Sequence, residues 1–250
     1  MEVTQIARGR GQGSEIQDER DLDYGRPRDP MGEIARIFRC RRGDIIDDNG
    51  QPNNHCYRVI SGAAKYHAVL PGGRTQILDL LFPGDFFDFA PSHGDYRAVE
   101  AAVNDTVIAA YPRTGLLLLA ATDRKVAQEV AEMAVANLGR LQRQLLVLGR
   151  RTAEEKVGAF LLEMTQRAPG KQTNHIALLI SRYDIADYLG VSVETVSRSI
   201  SRLKRRHCID LSGPRDVSIV NHRGLEGRDS DGDNRSDRHF RRREASPFPC

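Results

Sequence analysis

The chain has 250 residues, 28% of them charged, and its 37 basic and 34 acidic side chains leave a net charge of only +3. That length allows one or two domains at roughly 100–200 residues each, and so balanced a charge means that any nucleic-acid surface must be local. No apolar run reaches the ~18 residues a membrane span needs, Leu116 to Ala121 being far too short, and the polar N-terminus carries no signal peptide. The expectation is a cytoplasmic protein whose scattered cysteines stay reduced.

Residues 1–30 are polar and rich in Gly and Arg, with few apolar anchors, and are predicted to be a disordered tail. From about 33 the pattern changes to short β-like runs: Asp44–Ile46, Cys56–Ser61, Ala63–Leu70, Thr75–Leu81, Ala98–Ala101 and Thr106–Tyr111. Asp48-Asn49-Gly50, Ser61-Gly62, Pro71-Gly72-Gly73 and Phe82-Pro83-Gly84-Asp85 separate them, and Gly72-Gly73 between two apolar runs signals a hairpin. Evenly spaced short strands predict a small antiparallel barrel or jelly roll over residues 31–121. His55, His67 and His93 in this region are widely spaced and form no metal-binding pattern, so no metal site is predicted.

A long helix follows over residues 122–150. Val126, Val130, Met133, Asn137, Leu141, Gln144 or Leu145, and Leu148 step by threes and fours, close to a heptad stripe that Leu138 widens. Such a stripe, with the polar Asn137 in its seam to set register, suggests a two-fold partner; burial on the chain's own barrel is the alternative. Residues 151–223 read as a second domain. A first helix carries Val157, Phe160, Leu161 and Met164 on one face behind a Thr152 cap, Pro169-Gly170 breaks it, and Ile176–Ile180 is a short strand. Cys208–Leu211 and Val217–Val220, joined at Gly213-Pro214, form a two-stranded wing with Arg215 placed for phosphate.

Between them lies Ser181 to Arg206. Ile185, Ala186 and Leu189 give a short helix an apolar face, Gly190 supplies a positive φ at its end, and Ser192 caps a second helix. Val196, Ile200 and Leu203 form the inner face of that helix. Glu194, Ser197, Arg198, Ser201, Arg202, Arg205 and Arg206 form its outer face, the pattern of a helix-turn-helix with a basic recognition helix. Arg198 has the donor fork for guanine O6 and N7, Glu194 accepts from cytosine N4, and Ser197 is short enough to allow close approach. Ser192, Thr195, Ser201, Arg202, Arg205 and Arg206 are candidate contacts to the DNA backbone.

The run LGVSVETVSRSISRLKR resembles the recognition segment of the Crp–Fnr superfamily of bacterial transcription regulators. Its core Glu194-Thr195-Val196-Ser197-Arg198 is similar to the Fnr/FixK branch, whose Glu, Ser and Arg read TTGAT half-sites. Arg58 to Ala64 and Leu81 to Phe86 resemble elements of the family's cyclic-nucleotide-binding-type sensor domain, and Thr152 to Val157 with Phe160-Leu161-Leu162 resembles the entry to its winged domain.

The resemblance implies an α+β fold: an N-terminal jelly roll, a long dimerisation helix and a C-terminal winged helix-turn-helix. It implies a homodimer on double-stranded DNA at TTGAT-N4-ATCAA-like palindromes, recruiting RNA polymerase to genes of microaerobic respiration, nitrogen fixation or denitrification, and no enzyme activity. The phosphate cassette departs from nucleotide-binding members: in PGDFFDFAPSHGDYRAVEAA the Glu is absent and Arg97 precedes Ala98 rather than a hydroxyl residue. The first 30 residues hold no cysteine, so the family's N-terminal iron–sulfur cluster is not expected, and no cofactor is assigned. A barrel gated by a nucleotide, haem or other small effector is the competing reading.

Cys208 follows Arg205, Arg206 and His207, so it is either a redox-sensitive thiol activated by positive charge or a wing cysteine packed against Leu203. Residues 224–250, rich in Asp, Arg and Gly, are predicted to be a second disordered tail. Its Arg241–Arg243 cluster could add non-specific phosphate contact.

Overall fold

A computed structural model describes residues 14–15, 30–46, 54–87, 97–150, 152–167 and 174–226. The Asp48-Asn49-Gly50 turn, His93, most of the leading segment and residues 227–250 lie outside that set. In chain order the barrel elements are β1 (Ser14–Glu15), α1 (Pro30–Ile34), β2 (Arg36–Cys40), β3 (His55–Ser61), β4 (Ala64–Val69), β5 (Thr75–Leu81), β6 (Phe86–Phe87), β7 (Arg97–Ala101) and β8 (Thr106–Pro112). They form two antiparallel sheets, β1-β2-β8-β3-β6 and β5-β4-β7.

Period-two alternation decides what each strand buries. Tyr57 and Val59 of β3, Phe87 of β6, and Ile108 and Ala110 of β8 face Leu81, Val99 and Ala101 of the other sheet, and the Tyr57 and Phe87 rings stack at 5.3 Å. The intervening residues Cys56, Phe86, Ala109 and Tyr111 point outward and are covered by helices carrying Leu116 and Val126. That second cover explains why β8 is apolar on both faces. The chain leaves β3 for β4 at Gly62, whose φ is +82°; a Cβ there would lie 2.8 Å from the Thr106 backbone. Thr106 fills the corner, its hydroxyl 3.1 Å from Ala63 O and 2.8 Å from Val103 O.

Several elements differ from the sequence reading. Asp44–Ile46 makes only an isolated bridge from Ile45 to Glu100. Arg36–Cys40 is a full strand paired along β8 that its scattered arginines disguised. Ser14–Glu15, in the segment predicted to be disordered, pairs with Arg39 and Phe38. Residues 113–122, at the end of the expected barrel, are helix α2 (Arg113–Thr122). Asp123 then interrupts the helix in an extended conformation and caps α3 (Arg124–Leu148) by accepting from Lys125 N at 2.8 Å.

The C-terminal part comprises α4 (Ala153–Arg167), β9 (His175–Ala177), α5 (Arg182–Leu189), α6 (Val193–Arg205), β10 (Ile209–Leu211), β11 (Asp216–Ile219) and α7 (His222–Leu225). Thr152 accepts from Glu155 N at 3.1 Å, the expected cap of α4. The strands form a β10-β11-β9 sheet. Residues 224 and 225 were placed in the second tail, yet both are buried: Leu225 is 2% exposed, because α7 folds back against Gly158 of α4, where no side chain intervenes.

One apolar cluster runs from the barrel into this domain. Ile77 and Leu80 of β5 join Phe160, Ile185, Leu189, Ile200 and Leu203. A polar junction sits beside it, centred on Arg140 of α3. Its Nε donates to Asp79 at 3.1 Å and its Nη1 to Asp85 at 3.1 Å, while Nη2 donates to Phe86 O at 2.9 Å and Asn137 Oδ1 at 3.0 Å.

Candidate nucleic-acid interface

The helix-turn-helix is built by local chemistry. Ser181 and Asp184 form a reciprocal capping box that starts α5, and Gly190, at φ +65°, ends it in the left-handed region that favours glycine. Val191 N then returns to Ala186 O at 3.1 Å. Ser192 caps α6 by accepting from Thr195 N at 3.2 Å, and its hydroxyl lies 3.0 Å from the Thr195 hydroxyl. Val196, Ile200 and Leu203 are each at most 3% exposed, so one face of α6 is fixed against α4 and α5.

That burial decides which residues point outward. Glu194, Arg198, Ser201, Arg202 and Arg205 are exposed, and Ser197 is half-buried between them. The Glu194 carboxyl is held below its ordinary pKa, first by its own backbone N–H at the helix start, then by the Ser192 hydroxyl and the Arg198 charge. It is therefore an ionised, acceptor-only group, as a contact to a base amino group requires. Ser201 donates to Ser197 O at 2.9 Å. Arg198, Arg202 and Arg206 line a cleft of about 400 Å³ whose other wall holds Thr152, Glu155 and Leu225.

The structure revises some expected roles. Arg206 lies beyond the end of α6 and pairs with Glu154 of α4 at 2.6 Å, tying the two helices together while its side chain stays 46% exposed. Cys208 is 1% exposed within the domain core, its Sγ 3.8 Å from Arg206 O. The exposed thiol that a redox role calls for is not there, and packing beside Leu203 prevails. A residue not singled out from sequence also enters: Arg182, at the start of α5, donates to Ser197 Oγ at 3.2 Å. Its place directly after a capping serine was the available signal.

The stripe on α3 divides in two. Val126 is 2% exposed and sits in the chain's own core, with Val130 and Met133 packed against the same cluster. Asn137 gives its carbonyl oxygen to Arg140. These four are therefore engaged within the chain, while Leu141 and Leu145 of the expected stripe, with Leu138 that widens it, face outward beside Val135. Val135 is 70%, Leu138 57%, Leu141 41% and Leu145 69% exposed, whereas Leu148 is half-buried.

In the barrel, Arg97 stands on β7 opposite Ala68. His67 on β4 is buried, and burial pushes its pKa down. Among the described residues no group of three His, Cys, Asp or Glu is placed to hold a metal ion, and no helix is long and apolar enough to cross a membrane.

A winged helix-turn-helix with a basic outer face, joined by a long helix to a jelly-roll barrel, defines a class of DNA-binding regulator. Comparison with known proteins agrees. Residues 37–123 match the cyclic nucleotide-binding domain and residues 155–228 the Crp-like helix-turn-helix domain. The nitrogen fixation regulation protein FixK of Rhizobium meliloti is 33% identical over 76% of this chain and 86% of its own. The transcriptional activatory protein AadR of Rhodopseudomonas palustris is 35% identical over 70% of this chain and 74% of its own. The structure of FixK2 from Bradyrhizobium japonicum superposes with a TM-score of 0.69 at 36% identity, covering 78% of this chain and 96% of that one. The chain belongs to the Crp–Fnr family of transcription regulators, on its FixK-like side, and is not an enzyme.

Proposed function

We propose that this protein is a cytoplasmic transcription activator that binds TTGAT-N4-ATCAA-like palindromes as a homodimer. Glu194, Ser197 and Arg198 read base edges, while Arg202 and Arg205, with Ser192, Thr195 and Ser201, meet the phosphates on either side. The observation that carries this reading is the outward placement of exposed Glu194 and Arg198, with half-buried Ser197 between them, on α6 while the opposite face of the helix is buried. The exposed strip Val135, Leu138, Leu141 and Leu145 supports a two-fold partner, which would set two recognition helices ~34 Å apart. The names of the FixK relatives support targets in nitrogen fixation; microaerobic or denitrification genes, and RNA polymerase as the recruited partner, extend that reading by family resemblance.

Effector-independent binding is part of this reading, supported by the cassette sequence, in which Arg97 precedes Ala98 rather than a hydroxyl residue. The test is binding of purified protein to the palindrome and to duplexes with single substitutions. Arg198→Ala should lose ~1–3 kcal/mol of discrimination at its guanine and little elsewhere. An unchanged preference at every position would remove Arg198 from base reading.

A further inference from the structure

We propose that the barrel itself orients the recognition helix through two ion pairs, Lys65–Asp184 and Asp85–Arg167, which makes Lys65 and Asp85 positioning residues for operator binding. This rests on the reading of α6 as the DNA-contacting helix.

Lys65 lies on β4, directly opposite Glu100 of β7 in the sheet register. Its ammonium is 3.1 Å from Glu100 Oε1 and 3.1 Å from Asp184 Oδ1, so one acceptor fixes it to its own sheet and the other belongs to α5. Asp184 is itself divided. Its Oδ2 accepts from Ser181 N at 3.0 Å and from the Ser181 hydroxyl at 2.6 Å, closing the cap of α5. Next along the chain, Arg182 reaches Ser197 on α6. Two charge-assisted contacts, joined through the Ser181–Arg182 peptide bond, thus lead from a barrel strand to a base-reading residue.

Asp85 makes the second tie. One oxygen accepts from Arg140 of α3 and the other from Arg167 at the end of α4. Arg167 also donates to Leu80 O at 2.7 Å and lies 4.6 Å from the centre of the Phe82 ring. One carboxylate therefore joins barrel, central helix and DNA-binding domain. Gln76 and Gln144 add bonds to the Asp187 and Tyr188 carbonyls at 2.6 and 2.8 Å.

Two features distinguish positioning from mere adhesion. The apolar part of the junction supplies a non-directional attraction, whereas paired charged hydrogen bonds fix donor and acceptor geometry. The ties also fall on α4 and α5, and α6 packs chiefly on α4, α5 and β10, so the reading face is oriented without being covered. A domain already held in place loses less orientational freedom on binding.

The test uses full-length Lys65→Met and Asp85→Asn, with Lys65→Arg and Asp85→Glu as conservative partners. Operator and scrambled-duplex affinities are measured for each. In separate chains without DNA, with Cys250→Ser, spin labels at Arg42→Cys and Ser212→Cys, diluted into excess unlabelled chain so that a dimer carries one labelled copy, report the distance between barrel and wing. The expected result is one narrow distance in the parent chain. Lys65→Met and Asp85→Asn should broaden it and weaken operator binding about tenfold with base preference unchanged, and the conservative variants should keep most of both properties. A broad distance in the parent, or variants that change neither distance nor affinity, would overturn the proposal. So would tighter operator binding by the variants, which would make the contact inhibitory. If the parent chain does not prefer the palindrome, the proposed function fails instead, and the distance measurement still decides whether the ion pairs hold the domains.

Discussion

Arg140→Met probes the junction most sharply. Arg140 is 5% exposed and serves four acceptors, two of them carboxylates. Methionine fills similar volume but donates nothing. Asp85 keeps Arg167, but Asp79, itself 5% exposed, is left buried without the cation that contacts it. Breaking a buried pair from one side costs ~3–5 kcal/mol, and that is the expected loss. Arg140→Met with Asp79→Leu removes both charges and should recover to within ~1–2 kcal/mol of the parent.

A pH dependence separates this from a packing defect. Burial already pushes the Asp79 carboxyl above its ordinary pKa while Arg140 pulls it down. Without Arg140 the folded value rises further, so the folded chain takes up a proton more readily than the unfolded one. The deficit of the single variant should therefore shrink as pH falls from 7 towards 5. The chain has no tryptophan, so urea unfolding would be followed by far-ultraviolet circular dichroism. A loss below ~1 kcal/mol, or a double variant worse than the single one, would refute the assignment.

Other outcomes follow from the same geometry. Leu138→Glu with Leu145→Glu places charge on the exposed strip of α3; sedimentation should show a monomer, with operator binding weakened at least ~100-fold as the half-sites are bound singly. An unaltered dimer would move the interface elsewhere. Gly62→Ala combines a positive φ with a backbone contact at 2.8 Å, and should destabilise the barrel by ~2–5 kcal/mol in thermal unfolding; a cost under ~1 kcal/mol would show that the corner relaxes. His67, pushed below its ordinary 6.5 by burial and secondarily by Lys65, against the pull of Glu100, should contribute stability that is present above pH 6.5 and lost as pH falls towards the depressed folded value. His67→Gln should lack that acid-side loss, and identical pH profiles for the two chains would contradict it.

The recognition helix was legible in sequence because its signals are local. Ser192 and Gly190 fix the ends of the turn, and Val196, Ile200 and Leu203 fix which side is buried, so the outward set of Glu194, Ser197 and Arg198 follows from period alone. The α3 seam was harder. Its apolar residues cover more than one face, and which face meets the barrel depends on α2 and on Asp123, neither of which the stripe reveals. Strand β2 was obscured for a related reason: Arg36 and Arg39 fall on opposite faces of a short strand and break its alternation, and its pairing with β8 is long-range. The junction could not be read at all, since Lys65 and Asp184, or Asp85, Arg140 and Arg167, are distant in sequence and unremarkable singly. Arg206 shows the converse, a basic residue following the helical pattern whose charge goes to Glu154 once α4 is in place.

The most direct measurement is the affinity of ligand-free protein, purified in air, for a TTGAT-N4-ATCAA duplex and a scrambled duplex at two salt concentrations. Phosphate contacts alone give binding that falls with salt but does not distinguish the duplexes. Preferential binding of the palindrome by ~10³-fold or more at both salts, reduced by Arg198→Ala, is the predicted result. Equal affinity for the two duplexes at both salts would contradict sequence-specific recognition by α6 in the effector-free chain.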